Sequence, residues 1–339
     1  MPQSVQDSQS DGSSESIMST SPQRILITGS SGYYGRSLVS ALKQRWPESK
    51  ILGLDVVAPK SDRPDHFEQC DITSPAVHTH VQSFRPDTIL HLAFVVNPMR
   101  DEARMHQINV DGTRNLLAAA SAARPERLMV ASSATAYGAW PDNPIPLAES
   151  QPLRARGNFR YADDKVKVEA LLSEFTAANP QIAVSWTRPC IIYGPGMSNF
   201  MIPIFTVPPI LVLPGGTNST IQLVHLDDVV RATLAILNAG ATGPFNVAPS
   251  DWMTIRELAQ LRKTVAIPAP FAVCQAVTKA WWGLRLPVFR FPSTLWNFIR
   301  YPWVVAPERL SRELDFEFQY SCRDVMTLML QDAGKLRGK

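Results

Sequence analysis

Cysteine is scarce in this chain. Its 339 residues hold four, Cys70, Cys190, Cys274 and Cys322, widely scattered and without a CxxC pair. That excludes a disulfide framework and the usual ligand spacing of a structural metal site. Reduced, buried or half-buried thiols in a cytoplasmic setting are expected. Histidine is equally dispersed, with His78 and His80 the closest pair, so no metal is expected. Charge of one sign is also lacking: the net value is only +3, which leaves no footprint for nucleic acid. Residues 1–22 hold almost no large apolar side chain and lack the basic-then-apolar order of a signal peptide. A disordered tail is expected there.

Glycine is limited too, 17 in all, but three glycines recur at every third residue where an apolar run ends. The stretch 24–35, RILITGSSGYYG, reads as a strand over 24–28, a glycine turn, and a helix over about 33–44. A side chain at Gly29 or Gly32 would hold a pyrophosphate off the backbone, and Gly35 lets the helix pack closely on the strand. The helix start, flanked by Tyr33 and Tyr34, favours phosphate through its free N–H groups and dipole. Taken alone, the turn also reads as a glycine-rich connection without a ligand. A second strand over 50–55 ends in Asp55, where a carboxylate accepts hydrogen bonds from an adenosine ribose. An acid there repels a 2′-phosphate, so NAD is expected rather than NADP.

The spacing Thr28-Gly29-x-x-Gly32-x-x-Gly35 resembles the extended short-chain dehydrogenases/reductases, the group of nucleotide-sugar epimerases, dehydratases and hydroxysteroid-dehydrogenase-like enzymes. The resemblance implies an α/β fold: a doubly wound parallel sheet of Rossmann type with a smaller C-terminal substrate lobe. It divides the chain into a cofactor domain over 23–188 and mainly a substrate lobe over 189–339, with 221–250 returning to the cofactor domain. Within it, Asp71-Ile72 resembles the adenine-contacting pair, although Asp71 reads equally well as a helix cap. The buried strand 88–93 ends in Leu92 and Ala93, which the resemblance places beside the cofactor. His91 by itself reads as a packed histidine. Phe94 opens a loop over 94–104 that either lines a substrate pocket or is a solvated connection. Asn109 falls in a match to the N-V-x-G-T-x-N pattern and is placed near the cofactor, where a buried Asn usually fixes backbone. The strand 127–132 leads to Ser133, which matches the catalytic hydroxyl, with Thr135 close enough to meet substrate.

Tyr161 and Lys165 stand four apart at the start of a helix, so one turn puts them on one face. The resemblance makes them the base and its cationic partner, holding substrate hydroxyl and nicotinamide ribose. A phenol with an ordinary pKa near 10 must be lowered by about 3 units, roughly 4 kcal/mol, to act near neutrality. The ammonium of Lys165 and a positive nicotinamide both act in that direction. The adjacent Asp163 and Asp164 weaken that effect if either faces inward.

Pro189 begins a segment resembling the crossing from cofactor to substrate lobe. Two positions there carry the substrate expectation. Nucleotide-sugar epimerases usually have Asn at the place of Ile191 and Arg at that of Ile221. An apolar side chain cannot replace the charge-assisted donors a diphosphate needs. Between Arg188 and His225 the chain has no charged residue, and its prolines exclude a spanning helix. An apolar pocket or a buried core between lobes fits this stretch equally. The aromatic and basic segment 264–305 reads as a lid, as core packing, or as a peripheral membrane contact. Oxidation of a secondary alcohol, or reduction of a ketone, by NAD is the leading expectation. A UDP-glucose-type 4-epimerase, with Arg300 or Arg309 meeting phosphate, and a non-catalytic NAD sensor are the alternatives. Homodimers are common in the group.

Overall fold

The computed structural model describes residues 21–155, 159–284 and 291–336. All but the last two residues of the expected tail over 1–22 lie outside them. Pro22 is already buried, its carbonyl accepting from the Ser49 hydroxyl.

The first half runs β1 (Arg24–Thr28), α1 (Tyr33–Arg45), β2 (Lys50–Asp55), β3 (His66–Gln69), α2 (Ala76–Phe84), β4 (Thr88–His91) and α3 (Glu102–His106). A π-helical turn over Gln107–Asp111 leads to α4 (Gly112–Ala123), β5 (Arg127–Ala131), α5 (Arg160–Ala178) and β6 (Ala183–Pro189). The second half contains β7 (Ile191–Tyr193), α6 (Met201–Thr206), β8 (Leu211–Pro214), β9 (Thr220–Ile221), β10 (Leu223–His225), α7 (Leu226–Ala239) and β11 (Gly243–Val247). It ends with β12 (Met253–Thr254), α8 (Ile255–Leu261), β13 (Ala266–Ala269), α9 (Phe271–Gly283), α10 (Trp296–Arg300), α11 (Glu308–Leu314) and α12 (Cys322–Asp332).

Seven strands form one parallel sheet in the order β11-β6-β5-β4-β1-β2-β3. Near-continuous apolar strands such as RILIT suit a sheet covered on both faces. Alternation along each strand divides its side chains between two cores. Ile25 and Ile27 pack toward α1 and α7, whereas Leu26 joins residues of α2, α4 and α5. The chain winds from β1 toward β3 on one side and from β4 toward β11 on the other. The reversal falls between β1 and β4, where the strand ends leave a crevice.

The second half contributes to both lobes. β11 joins the large sheet beside β6, and α7 packs on α1. The stretch from Ile221 to His225 instead pairs within small two-stranded sheets, so the return to the large sheet begins at α7. A third core, with Leu213, Leu223, Met253, Leu258 and Met326, holds the smaller lobe together.

Candidate active site

The glycine turn takes its shape from the chain itself. Gly29 has φ +74°, and a Cβ there would lie 2.7 Å from the backbone of Leu92 and Ala93. At Gly35 a Cβ would stand 2.2 Å from the Gly29 carbonyl oxygen. These two glycines are required by the packing of β1, β4 and α1. Gly32 is different: its Cβ would meet only the Gly29 oxygen, at 3.3 Å. It is the N-cap of α1, no side chain caps that helix, and the first turn holds no acid. The buried Ser31 Oγ has no hydrogen-bond partner among the described residues. Asp55 at the end of β2 accepts from the Ser31 and Val57 N–H groups at 3.0 and 3.1 Å. Unanswered donors at an uncapped helix start beside a carboxylate fit a dinucleotide, pyrophosphate at Gly32 and ribose at Asp55.

A cavity of about 270 Å³ runs from this turn. Gly29, Gly32, Gly35, Tyr33 and Tyr34 line one end, and Leu92, Phe94, Pro189, Ser133 and Thr135 its middle with Tyr161 and Lys165. The Tyr33 hydroxyl donates to the Pro195 carbonyl at 3.2 Å and the Tyr34 hydroxyl bonds Thr233, so both tyrosines tie the turn to later segments.

Phe159 precedes α5 in extended conformation and is buried, fixing the helix start that carries Tyr161 and Lys165 inward. The Tyr161 phenol and the Ser133 hydroxyl line the same stretch of the cavity, and the Ser133 hydroxyl favours ionisation of the phenol. Ser133 Oγ accepts from the Thr135 hydroxyl at 2.9 Å, so two hydroxyls stand together on the wall that carries Tyr161. Burial pushes the phenol up to about 12, and the Ser133 hydroxyl offsets this only in part. The expected depression by Lys165 is therefore not supplied by the chain. Lys165 Nζ donates to the Ala131 carbonyl at 2.5 Å and stands 3.0 Å above the Phe94 ring. Burial drives its ammonium well below the usual lysine value, against the pull of Glu169 and Asp164.

Of the two neighbouring acids, Asp164 faces inward. It is buried, receives His106 Nδ1 at 2.6 Å, and lies 3.4 Å from Asn109 Nδ2. Burial raises its pKa, and the bond from His106 opposes the rise. Asp163 pairs with Lys167 at 3.0 Å. Glu169, one turn beyond Lys165, is held by Arg188 at 2.6 Å, by Ser132 at 2.5 Å and by Trp186 at 2.7 Å. This buried pair braces α5 against β6.

Several expected contacts lie off the cavity wall. Asp71 accepts from Thr73 and pairs with Arg104 at 2.6 Å, and it is not the N-cap of α2. Ile72 is buried, and its side chain would lie 2.5 Å from a Cβ at Gly112. Asn109 accepts from the Val95 N–H at 2.8 Å and so fixes the loop after β4. Ala93 approaches Thr28 Oγ1 with its N–H at 3.4 Å, within the strand-end packing. His91 is packed between Thr28 and Thr113, and burial takes it down to about 3. The expectation for Ile221 is corrected: its side chain is buried in the third core beside Met253, whereas Ile191 lines the cavity. Arg309 is taken up by Glu313 and the Thr242 and Pro244 carbonyls. The Arg300 guanidinium sits 4.4 Å over Phe271, outside the cavity lining.

The far wall draws on the two stretches that sequence left open between pocket or lid and core. Phe159 stands at its centre, with ring centroids 5.7 Å from Phe298 and 6.3 Å from Phe200. Trp303 meets Phe298 edge-on at 5.4 Å and donates its indole N–H to the Phe298 carbonyl, so its polar edge is satisfied away from the cavity. Met197, Met201 and Leu295 also line it, with one amide, Asn199, whose oxygen is taken up by the Met201 and Ile202 N–H groups at 2.9 and 3.1 Å. Phe200 comes from the charge-free stretch read as pocket or core, and Leu295, Phe298 and Trp303 from the segment read as lid, core or membrane contact; Phe159 was not singled out.

Residues 25–248 match the NAD dependent epimerase/dehydratase family. A 3-diazoavenalumate denitrifying reductase from a Streptomyces species is 28% identical over 257 residues, 73% of this chain and 83% of that protein. An uncharacterized protein of Mycobacterium tuberculosis (strain ATCC 25618 / H37Rv) is 24% identical over 257 residues, 74% of this chain and 68% of that protein. The crystal structure of the UDP-glucose 4-epimerase of Thermus thermophilus in complex with NAD has the same fold, with TM-score 0.72 and 22% identity, over 92% of this chain and 99% of that one. A match spanning the glycine turn, the Tyr161 helix and β11 places this chain in the NAD dependent epimerase/dehydratase family.

Proposed function

We propose that the protein is an NAD-dependent oxidoreductase that interconverts a secondary alcohol and a ketone on a largely apolar substrate. The carrying observation is the composition of the cavity wall. Lys165 is its sole charged lining residue among the described residues, and aromatic and aliphatic side chains surround the Ser133–Tyr161 pair. A substrate diphosphate against the aromatic side of this wall, away from the backbone donors of the glycine turn, would lose its water without gaining charge-assisted donors.

Bound NAD supplies the hydride acceptor for oxidation and, reduced, the donor for the reverse reaction. The chain's own residues manage the proton and the geometry. In oxidation Tyr161 Oη removes the hydroxyl proton as the carbinol hydride leaves. In reduction the same phenol gives its proton to the ketone oxygen. Ser133 holds that oxygen through its hydroxyl, and Thr135 steadies Ser133. Lys165, freed from the Ala131 carbonyl, would hold the nicotinamide ribose. Acid–base help of this kind contributes about 10²–10⁴-fold. The aromatic wall excludes water and fixes the substrate carbon.

A UDP-glucose-type 4-epimerase is the second reading. Its support is the 30% identity over 181 residues to the UDP-glucose 4-epimerase of Erwinia amylovora, which covers 49% of this chain and 53% of that protein. Desalting the purified protein, denaturing it and assaying released nicotinamide nucleotide separates the two. A protein that emerges empty, binds NAD reversibly and reduces it with apolar secondary alcohols supports the first. Near-stoichiometric retained NAD with UDP-sugar turnover overturns it.

A further inference from the structure

The smaller lobe exposes an apolar surface that its packing does not explain. β13 pairs in parallel with β8, Ala266 opposite Leu211 and Ile267 opposite Val212, and the Leu211 N–H donates to the Val265 carbonyl at 3.0 Å. Because strand side chains alternate, Val265 and Ile267 point to one side with Ile210 beside them, at the open end of a face whose Val212 packs against the first core. α9 starts two residues after β13 and buries Cys274 and Thr278. Its outer side presents Ala272, Val273, Ala276, Val277 and Ala280 to solvent. Ile210, Val265, Ile267, Val273, Val277 and Leu284 are between 41% and 70% exposed. A soluble surface rarely gathers such residues in one short stretch without an occupant.

Charge identifies the occupant. From residue 258 to 307 the chain contains no Asp or Glu and six bases, Arg262, Lys263, Lys279, Arg285, Arg290 and Arg300. Lys263 and Lys279 are exposed, and no carboxylate among the described residues pairs with them. Glu257, the preceding acid, is turned into the cap of α8 by Thr254 at 2.7 Å. An apolar face rimmed by lysines complements an anionic bilayer, where apolar side chains enter the headgroup boundary and bases meet lipid phosphates. Against a second copy related by two-fold symmetry, the same rim would face itself and repel.

The surface is also joined to the cavity lip. Arg100, in the loop that carries Phe94 and Val96 of the cavity wall, donates to the Trp282 carbonyl at 2.6 Å and lies 4.6 Å over the Trp282 ring. We propose that the outer side of α9 and the exposed face of β8 and β13 dock this protein peripherally on an anionic phospholipid bilayer, presenting the cavity lip to apolar molecules held there. The docking stands apart from the proposed reaction; the delivery of substrate rests on it. No helix among the described residues is long and apolar enough to cross a membrane, so the contact is with one leaflet.

The test is co-sedimentation of the full chain with vesicles of phosphatidylcholine containing about 30 mol% phosphatidylserine, an arbitrary composition of roughly physiological charge. Binding is expected, weaker by at least about tenfold on phosphatidylcholine alone or in about 0.5 M salt. The double variant V273D/V277D should lose about tenfold or more, and K263E/K279E should lose the preference for phosphatidylserine. Both should keep the wild-type melting temperature and NAD affinity, because their positions are exposed and lie off the cavity. Absence of vesicle binding by the folded wild type overturns the proposal, as does binding that V273D/V277D leaves intact. A dimer in sedimentation velocity that V273D/V277D dissociates assigns the surface to a second copy and also overturns it. NAD binding and turnover, read separately, report on the proposed reaction.

Discussion

The two walls of the cavity are built by different means. The cofactor wall comes from one continuous strand-turn-helix unit and the ends of neighbouring strands, and backbone sterics fix its shape. The opposite wall gathers Phe159, Ile191, Phe200, Phe298 and Trp303 from separate segments, and side-chain packing fixes it. A wall made by backbone leaves glycines at set intervals, which a sequence displays. A wall made by side chains leaves only a general excess of aromatics. The first therefore specifies a cofactor class, and the second specifies a substrate only through its chemistry.

That contrast is most easily broken at Gly35. Valine there would drive Cβ to 2.2 Å from the Gly29 carbonyl oxygen and 2.9 Å from Ser30 Cα, both backbone atoms that cannot step aside. Gly35→Val should cost roughly 3 kcal/mol or more of stability and abolish NAD binding, read by denaturant unfolding and titration calorimetry. Gly196→Ala is the control. Its φ is +77° but nothing lies within 4 Å of the added Cβ, so about 1–2 kcal/mol is expected, with NAD binding intact. Gly35 has no positive φ, so equal losses at both positions would show that its close approach costs no more than the left-handed backbone at Gly196.

Next in size is the chemistry between the walls. Tyr161→Phe should lower turnover by about 10²–10⁴-fold while NAD affinity stays within a few-fold. Unchanged turnover would favour a protein that binds NAD without using this phenol. The same phenol sets the pH dependence. With burial holding it up at about 12, Tyr161 is protonated at neutral pH in the cofactor-free chain. A protonated phenol is ready to serve ketone reduction, whereas alcohol oxidation needs it ionised. Below the phenol's pKa in the complex, oxidation should rise about tenfold per pH unit, with reduction nearly level over the same range. Stopped-flow single-turnover rates in both directions check this. A flat oxidation profile from about pH 6 to 9 would mean that bound NAD has already lowered the phenol below that range.

Most of the fold was legible because parallel strands buried on both faces must be apolar runs, and RILIT, KILGLD and TILH are such runs. The spacing of Tyr161 and Lys165 likewise follows from one turn of helix. What sequence could not convey was where a side chain spends its hydrogen bonds. Asp71 is occupied by Thr73 and Arg104, and Asn109 by Val95 and Asp164. Ile191 and Ile221 looked equivalent as apolar replacements for polar residues, yet β7 brings one to the cavity and β9 buries the other against Met253. Lys165 illustrates the same limit. Four-residue spacing brings it to the face of Tyr161, but its ammonium turns to the Ala131 carbonyl.

The smallest expected effect is also the sharpest test of the substrate wall. Ile191 is half-buried on the cavity, and its backbone N–H donates to the Gln222 carbonyl at 3.3 Å, a bond that any non-proline side chain leaves in place. Ile191→Asn should therefore keep the fold while placing an amide among aromatic side chains. An apolar substrate would have to bind beside that amide and strip its water without offering a partner. KM for such a substrate should rise about three- to tenfold, with kcat changed less, because the residue meets the body of the substrate and not the reacting carbon. A UDP-sugar would respond in the opposite sense, since the amide adds a donor for its polar groups. Steady-state kinetics of the variant on both substrate classes thus reads the chemistry of this wall directly: weakened apolar turnover supports the alcohol dehydrogenase reading, and improved UDP-sugar turnover transfers the assignment to the epimerase.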